Sequence, residues 1–289
     1  MRNFAGLQGE AVTARIFALV VIGWLWLVAV LPAGAASLTH TPPQWQPIGR
    51  GLAFSQVEVL QDGEVVAGLA VVKIDPAANA FRVLHGAPQA ITAWQEALGA
   101  PIVFNGSYYK SDGKPCGLVI ADGKAFGPKG NREMRGMFVA EPKGLSPDLP
   151  RATILDLLTT RVDPNKLPWT QGVQSFPLLL DYKGKIRVRD SEKRSRRTVI
   201  ATDRNGNILV FNTSDRFFTL FGMAEFLKGS DFAIDSALNL DGGTEAQLSI
   251  KTKDFEFYSP PSWEKSIGNI IDQQKFWLPT VVGVFPRQD

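Results

Sequence analysis

The residues best placed to do chemistry lie in Asn239-Leu240-Asp241-Gly242-Gly243-Thr244, where an apolar run ends in an amide, a carboxylate and two glycines. On a strand Asn239 and Asp241 share a face, about 6–7 Å apart along the chain. The glycines leave a bare backbone that a small molecule can approach closely. A carboxylate beside such a backbone suits a sugar or a phosphate. Asp-Gly is also the favoured pair of a tight hairpin, and it recurs at Asp62-Gly63, Asp112-Gly113 and Asp122-Gly123. The turn reading therefore stands beside the site reading. Asn239 on one side and the doubled glycine on the other set Asp241 apart.

Two further segments share this texture of an apolar run meeting polar residues or glycine: Ile102 to Tyr109, and Arg196 to Ala201. Asn105-Gly106 reads either as a sugar-contacting amide or as a left-handed turn. Arg197 reads either as a planar fork for phosphate or as a charge at a strand edge. Tyr108 and Tyr109 read more readily as packing residues than as sugar platforms. The chain has only two histidines, His40 and His85, and one cysteine, Cys116. That excludes most zinc sites, argues against a Ser-His-Asp triad and leaves no intrachain disulfide. Cys116, in Pro-Cys-Gly, reads as a small buried apolar residue. Chemistry must then rest on carboxylates, amides, hydroxyls and arginine, with oxygen-bound Ca²⁺ or Mg²⁺ as the open cofactor option. Asp241, Asn239 and nearby carbonyls could hold Ca²⁺, but no stretch has the spacing of a dedicated calcium loop.

Arg2 and Arg15 precede an unbroken apolar run, Ile16 to Leu31, which is followed by Pro32-Ala33-Gly34-Ala35-Ala36. The run is short of the ~20 residues of a membrane span, and the small residues after it suit cleavage. Residues 1–36 are expected to be a secretory signal peptide, with an uncleaved anchor as the alternative, and the protein is expected to be exported, periplasmic or extracellular. Once the leader is cleaved no stable membrane span is expected. A polar, Pro-rich linker is expected over 37–51 and one domain over 52–289. The formal net charge of +3 is too small and too evenly spread to argue for nucleic acid. Lys193-Arg194-Ser195-Arg196-Arg197 is the one basic cluster read from the sequence.

The elements that must position these residues are mostly short strands. Strand-like runs are expected at Ser55–Leu60, Val65–Ile74, Phe81–Leu84, Ile102–Phe104, Leu118–Ala121, Met137–Ala140, Leu178–Asp181, Phe232–Leu240, Gln247–Lys251 and Val281–Phe285. A hairpin is expected from Thr198–Thr202 and Ile208–Asn212. Apolar spacings of three and four predict helices over Gln89–Leu98 and near Thr219–Leu227. Residues 141–170, rich in proline and polar side chains, read as a long excursion. The fold class expected is α+β, a single β-rich domain with a mixed sheet and two principal helices.

The ordered set of motifs resembles the phosphodiester glycosidase family. The resemblance rests on Asn105 to Tyr109, Pro115-Cys116-Gly117-Leu118, the Asp122-Gly123-Lys124 turn, Arg197-Thr198, and a helix feeding Asn239 to Gly243. It spans about residues 52–286 and implies an exported hydrolase that cleaves a sugar–phosphate glycosidic bond in an envelope or extracellular glycan. After the two glycines the family usually continues with glycine, serine or threonine and then serine. Here Thr244-Glu245 follows, which places a carboxylate where a hydroxyl is usual.

The resemblance and the residue chemistry together nominate Asp241 and Glu245 as catalytic. They nominate Asn105, Gly106, Arg197, Thr198, Asn239, Gly242, Gly243 and Thr244 as substrate-binding, the glycine amides receiving phosphate oxygens. Asp235 is about 20 Å from Asp241 on an extended chain, beyond the ~10 Å that paired glycosidase carboxylates span. Glu245 is the better second carboxylate. A carbohydrate or sugar phosphate is the expected partner. Two rival readings are a non-catalytic glycan-binding or polysaccharide-assembly protein on the same scaffold, and a hydrolase of ordinary glycosides or peptidoglycan fragments.

Overall fold

β-Branched and aromatic residues alternate with small or polar ones through most of the chain, a pattern that fits pleated, half-buried surfaces. The computed structural model describes residues 38–144, 148–260 and 276–288. The leader expected over 1–36 lies outside the described residues. Among those described, no helix is long and apolar enough to cross a membrane.

Three sheets form. The largest has eight strands, with spatial order Thr39–His40, Leu52–Gln61, Glu64–Ile74, Ile208–Thr213, Thr198–Asp203, Ile234–Asn239 and Leu178–Leu180, and with Gln46–Gly49 also paired to Leu52–Gln61. The second runs Ala152–Asp156, Gly136–Pro142, Trp169–Ser175, Val119–Ala121 and Lys124–Phe126. The third runs Glu256–Ser259, Leu248–Lys251, Ile102–Asn105, Leu278–Pro286 and Asn79–Gln89.

The inner faces of all three sheets meet in one core. Phe54, Val72, Val210 and Leu238 come from the first sheet, Phe138 and Val173 from the second, and Phe81, Phe104 and Val282 from the third. The outer face of the largest sheet is covered by helix α2, Leu220–Gly229, whose Met223, Phe226 and Leu227 pack on Val71, Ala201 and Phe211. Thr219 caps α2 by accepting the Gly222 N–H at 2.9 Å. Helix α1, Ile91–Leu98, packs Ile91 and Trp94 on Val103 and Val281 and ends at Gly99, whose φ of 61° suits glycine.

The expected mixed sheet is corrected: every strand pairing among the described residues is antiparallel. The reason lies in the two helices. Helix α1 connects Asn79–Gln89 to Ile102–Asn105, and α2 lies between Ile208–Thr213 and Ile234–Asn239. Each such pair of strands runs the same way, yet a third strand sits between them, Leu278–Pro286 in one case and Thr198–Asp203 in the other. The crossovers are parallel units split by an antiparallel neighbour.

Two other expectations change. From residue 38 the stretch read as a linker pairs with the edge of the largest sheet, through Thr39–His40 and Gln46–Gly49. The excursion over 141–170 supplies Ala152–Asp156, an edge strand paired with Gly136–Pro142. Both are short edge segments, whose prolines and polar residues mask their strand character.

Candidate active site

Strands from two sheets end at one place. Ile102–Asn105 and Ile234–Asn239 deliver their last residues there, and Thr198–Asp203 begins there. The turn after Asn239 is held by its backbone. Asn239 N–H donates to Pro177 O (3.0 Å), Leu240 N–H to Thr198 O (2.9 Å), Asp241 N–H to Gly106 O (3.2 Å) and Gly243 N–H to Arg196 O (3.0 Å). Gly106 N–H donates to Thr280 O (2.9 Å), so the first glycine motif is itself pinned to the third sheet.

Both asparagines serve this frame. Asn105 is fully buried. Its amide donates to Asp241 O (2.9 Å) and Gly106 O (3.1 Å), and its Oδ1 accepts Gln247 N–H (3.1 Å). Asn239 is also fully buried, with Nδ2 2.9 Å from the Tyr108 hydroxyl and 3.0 Å from Phe176 O. Its Oδ1 has no hydrogen-bond partner among the described residues. Neither amide nitrogen has a donor left for a sugar hydroxyl, and Asn239 Oδ1 is the amide oxygen left open as an acceptor among the described residues.

The glycine amides are likewise committed. Gly242 N–H donates to Asp241 Oδ1 (2.9 Å) and Gly243 N–H to Arg196 O. The expected phosphate contacts from these amides are therefore not available in this arrangement. The glycines are needed for space: a Cβ on Gly242 would stand 2.9 Å from Arg196 O, and one on Gly106 would stand 2.7 Å from Thr280 Cγ2. Gly243 adopts φ 76°, which an L side chain resists.

Around this frame stand the ionisable groups. Asp241 is pushed up to about 7, first by burial and second by the charge of Glu245, against the lowering effect of the Gly242 N–H. Glu245 sits in the short helical turn Gly243–Glu245. Its Oε2 accepts the Thr244 hydroxyl (2.6 Å), and its Oε1 lies 3.4 Å from the Tyr109 hydroxyl. Burial, then Glu245 and Asp241, hold the Tyr109 phenol well above the usual range. Burial and Asp241 do the same for Tyr108, against Arg197 and Asn239, so both phenols stay neutral.

Arg197 is 5% exposed, and burial lowers its guanidinium from its ordinary value. Nε and Nη2 donate to Phe218 O (3.4 Å) and Lys193 O (3.1 Å), while Nη1 faces Gly242, 3.6 Å from where a Cβ would stand. Burial and then Arg216 lower the Arg196 guanidinium from its ordinary value, against the opposing charges of Glu245 and Tyr258.

The structure thus brings together Asp241, Glu245, Arg197, Gly106, Gly242, Gly243, Thr244, Asn105 and Asn239. Thr198 meets the turn through its carbonyl, which accepts Leu240 N–H, while its side chain is fully buried and accepts the Asn212 amide at 2.9 Å. Asp235 lines a separate cavity, with Asp203 and Asn207. Cys116 is half-buried rather than buried. Sequence reasoning undervalued Tyr108 and Tyr109 and passed over Arg196 and Gln247. The tyrosines' only signal was their place directly after Asn105-Gly106-Ser107. Among the described residues, no group of three or more His, Cys, Asp or Glu side chains is arranged to hold a metal ion.

An antiparallel three-sheet scaffold with a carboxylate turn at the junction of two sheets defines the class of protein. Residues 99–285 match the phosphodiester glycosidase family, and the chain belongs to that family. The structure is similar to the catalytic domain of zebrafish N-acetylglucosamine-1-phosphodiester alpha-N-acetylglucosaminidase auto-inhibited by its pro-peptide, with 17% identity and TM-score 0.57, covering 88% of this chain and 90% of that one. It is also similar to a hypothetical protein from Synechocystis, with 15% identity and TM-score 0.56, covering 86% of this chain and 64% of that one. A putative exported protein from Burkholderia pseudomallei K96243 is similar at 10% identity and TM-score 0.51, over 89% and 98%. These likenesses show the shared fold. Sequence comparison with curated proteins returns no match.

Proposed function

We propose that this protein is an exported hydrolase that cleaves the glycosidic bond between a sugar and a phosphate in an envelope or extracellular glycan. The observation that carries the reading is the pair Asp241 and Glu245 on one turn, close enough for the charge of one to raise the other, with Arg197 Nη1 against the same turn. Family membership supports the class of reaction.

Breaking a sugar–phosphate bond develops positive charge on the sugar. The leaving group is already a stabilised anion, so it needs little protonation. In this reading ionised Asp241 meets the developing oxocarbenium charge and directs the attacking oxygen. Burial first, and then the charge of Glu245, held by Thr244 and Tyr109, keep Asp241 from ionising until near neutrality. Arg197 Nη1 binds the phosphate. Neutral Tyr108, fixed by Asn239, keeps a phenol proton beside Asp241 for hydrogen bonding.

The test is hydrolysis of N-acetylglucosamine 1-phosphodiesters, the substrate named for the zebrafish relative, followed by release of free sugar. Wild-type turnover that falls by about 10²–10⁴ in Asp241→Asn is the expected result. A folded wild-type protein that binds phosphate-linked glycans and releases no sugar from them would instead make this a binding protein.

A further inference from the structure

A second feature lies against the second sheet. Lys129, Arg132, Arg135 and Arg161 line an open cavity of about 780 Å³, and no carboxylate lines it with them. Each of the four is exposed, and none forms an ion pair with a carboxylate among the described residues. The loop that carries three of them is held in place. Gln174, 3% exposed, accepts Leu118 N–H (2.9 Å) and Asn131 N–H (3.2 Å), and donates to Asn131 O (2.9 Å) and Met134 O (2.8 Å). Asn131 Nδ2 donates to Cys116 O (3.1 Å).

One stretch of chain, residues 174–177, joins the cavity to the strand that leads into the catalytic turn. Arg135 also lines a groove of about 540 Å³ beside Phe176 and Pro177. Gln174, Ser175 and Phe176 are consecutive, and the last two touch Asn239: Ser175 Oγ donates to Asn239 O (2.8 Å), and Phe176 O accepts from Asn239 Nδ2 (3.0 Å). The groove is closer to neutral. It holds Glu133, Asp190, Arg135, Arg189 and Arg187, the last spent on Asp156 (2.7 Å) and Asp181 (3.0 Å). Phe176, 45% exposed, offers a ring along the path. Phe176 and Arg135 share the groove, and Arg135 shares the cavity, so an exposed ring near Asn239 is followed by a field of one sign.

We propose that the cavity receives the part of a phosphate-linked glycan strand remote from the scissile bond, so that the substrate is a polymer with charges in series. The inference rests on the sugar–phosphodiester reading above. A small diester carries one charge and ends at the turn; four cations in one cavity, with no carboxylate partner among the described residues, add nothing to its binding. A strand with a phosphate in each repeat places successive anions along Arg135 and then Lys129, Arg132 and Arg161. Guanidinium forks match the phosphate oxygens in pairs, and a one-signed cleft raises the local concentration of a polyanion.

The test uses the full chain and the variant Lys129→Ala/Arg132→Ala/Arg161→Ala, which leaves the catalytic turn untouched. The probe is poly(N-acetylglucosamine 1-phosphate), with binding measured in the Asp241→Asn background so that the probe is not consumed. Expected is a loss of affinity of roughly tenfold or more at low salt, vanishing near about 0.5 M salt, while turnover of the monomeric diester by the active enzyme is unchanged. Equal polymer affinity in the two proteins overturns the proposal. So does equal competition by single-stranded DNA of the same charge or by phosphatidylglycerol vesicles. Polymer binding that depends on these cations, in a wild-type protein that cleaves no diester, overturns the hydrolase reading and leaves the cavity assignment standing.

Discussion

Asp241 and Glu245 share one turn, and the electrostatic consequence can be read in two experiments. With Asp241 pushed up to about 7, activity that needs its ionised form rises with pH through about 7. Glu245→Gln removes a charge that raises Asp241, so this rising limb moves to lower pH; a pH–rate profile of both proteins checks it. Stability carries the opposite sign. A carboxylate whose folded-state value lies above its unfolded value binds its proton more tightly when folded, so stability falls as pH rises from about 4 through about 7. Asp241→Asn should then melt higher than wild type at pH 8, by an amount of order a few kcal/mol, with the difference shrinking toward pH 4. A Tm difference that is constant with pH would refute this. Such a cost, retained at a working residue, is the usual stability–function trade-off.

At the scale of elements, the turn depends on close backbone approach between two sheets. Gly106→Ala would drive a Cβ to 2.7 Å from Thr280 Cγ2 and 2.9 Å from Thr280 O. The expected cost is about 1–3 kcal/mol, with a fall in kcat, because Gly106 O also holds Asp241 N–H. Thermal melts and steady-state kinetics on the same samples check both effects. Gly229, at the end of α2, has open space where a Cβ would stand; Gly229→Ala serves as the control and should leave kcat unchanged. Much at this scale was legible. Both helices and the Thr198–Asp203 hairpin stand in the periodicity and turn chemistry of the chain. Trp169–Ser175 and Ala152–Asp156 were hidden because a glycine interrupts the first and prolines surround the second.

For the whole molecule, the single core shared by three sheets predicts one cooperative unfolding transition. Phe104 sits at its centre, fully buried, one residue before Asn105. Phe104→Ala should cost about 3–5 kcal/mol and shift the whole transition, with far- and near-UV circular dichroism remaining coincident. Two separated transitions would mean that the sheets fold as independent units. The same shared core supports the site: strands from the first and third sheets reach the turn from a common packed interior.

The amino-acid sequence by itself determined the chemistry on offer. A lone cysteine and two histidines left carboxylates, amides and arginine, and the order of the motifs pointed to the family. Asp241-Gly242-Gly243 and Glu245 were legible because their types and spacing are local. Only the tertiary structure decided which polar groups are free. Asn105 lies 136 residues from Asp241, whose carbonyl it binds, and Tyr108 lies 131 residues from Asn239. Whether an amide meets a ligand or a neighbouring carbonyl depends on which backbone folds against it, and one-dimensional spacing carries no record of that. The same holds for Lys129, Arg132, Arg135 and Arg161. Three of them lie three residues apart in one loop, but only the fold brings Arg161 beside them, and Gln174 anchors that loop so that the four share one field.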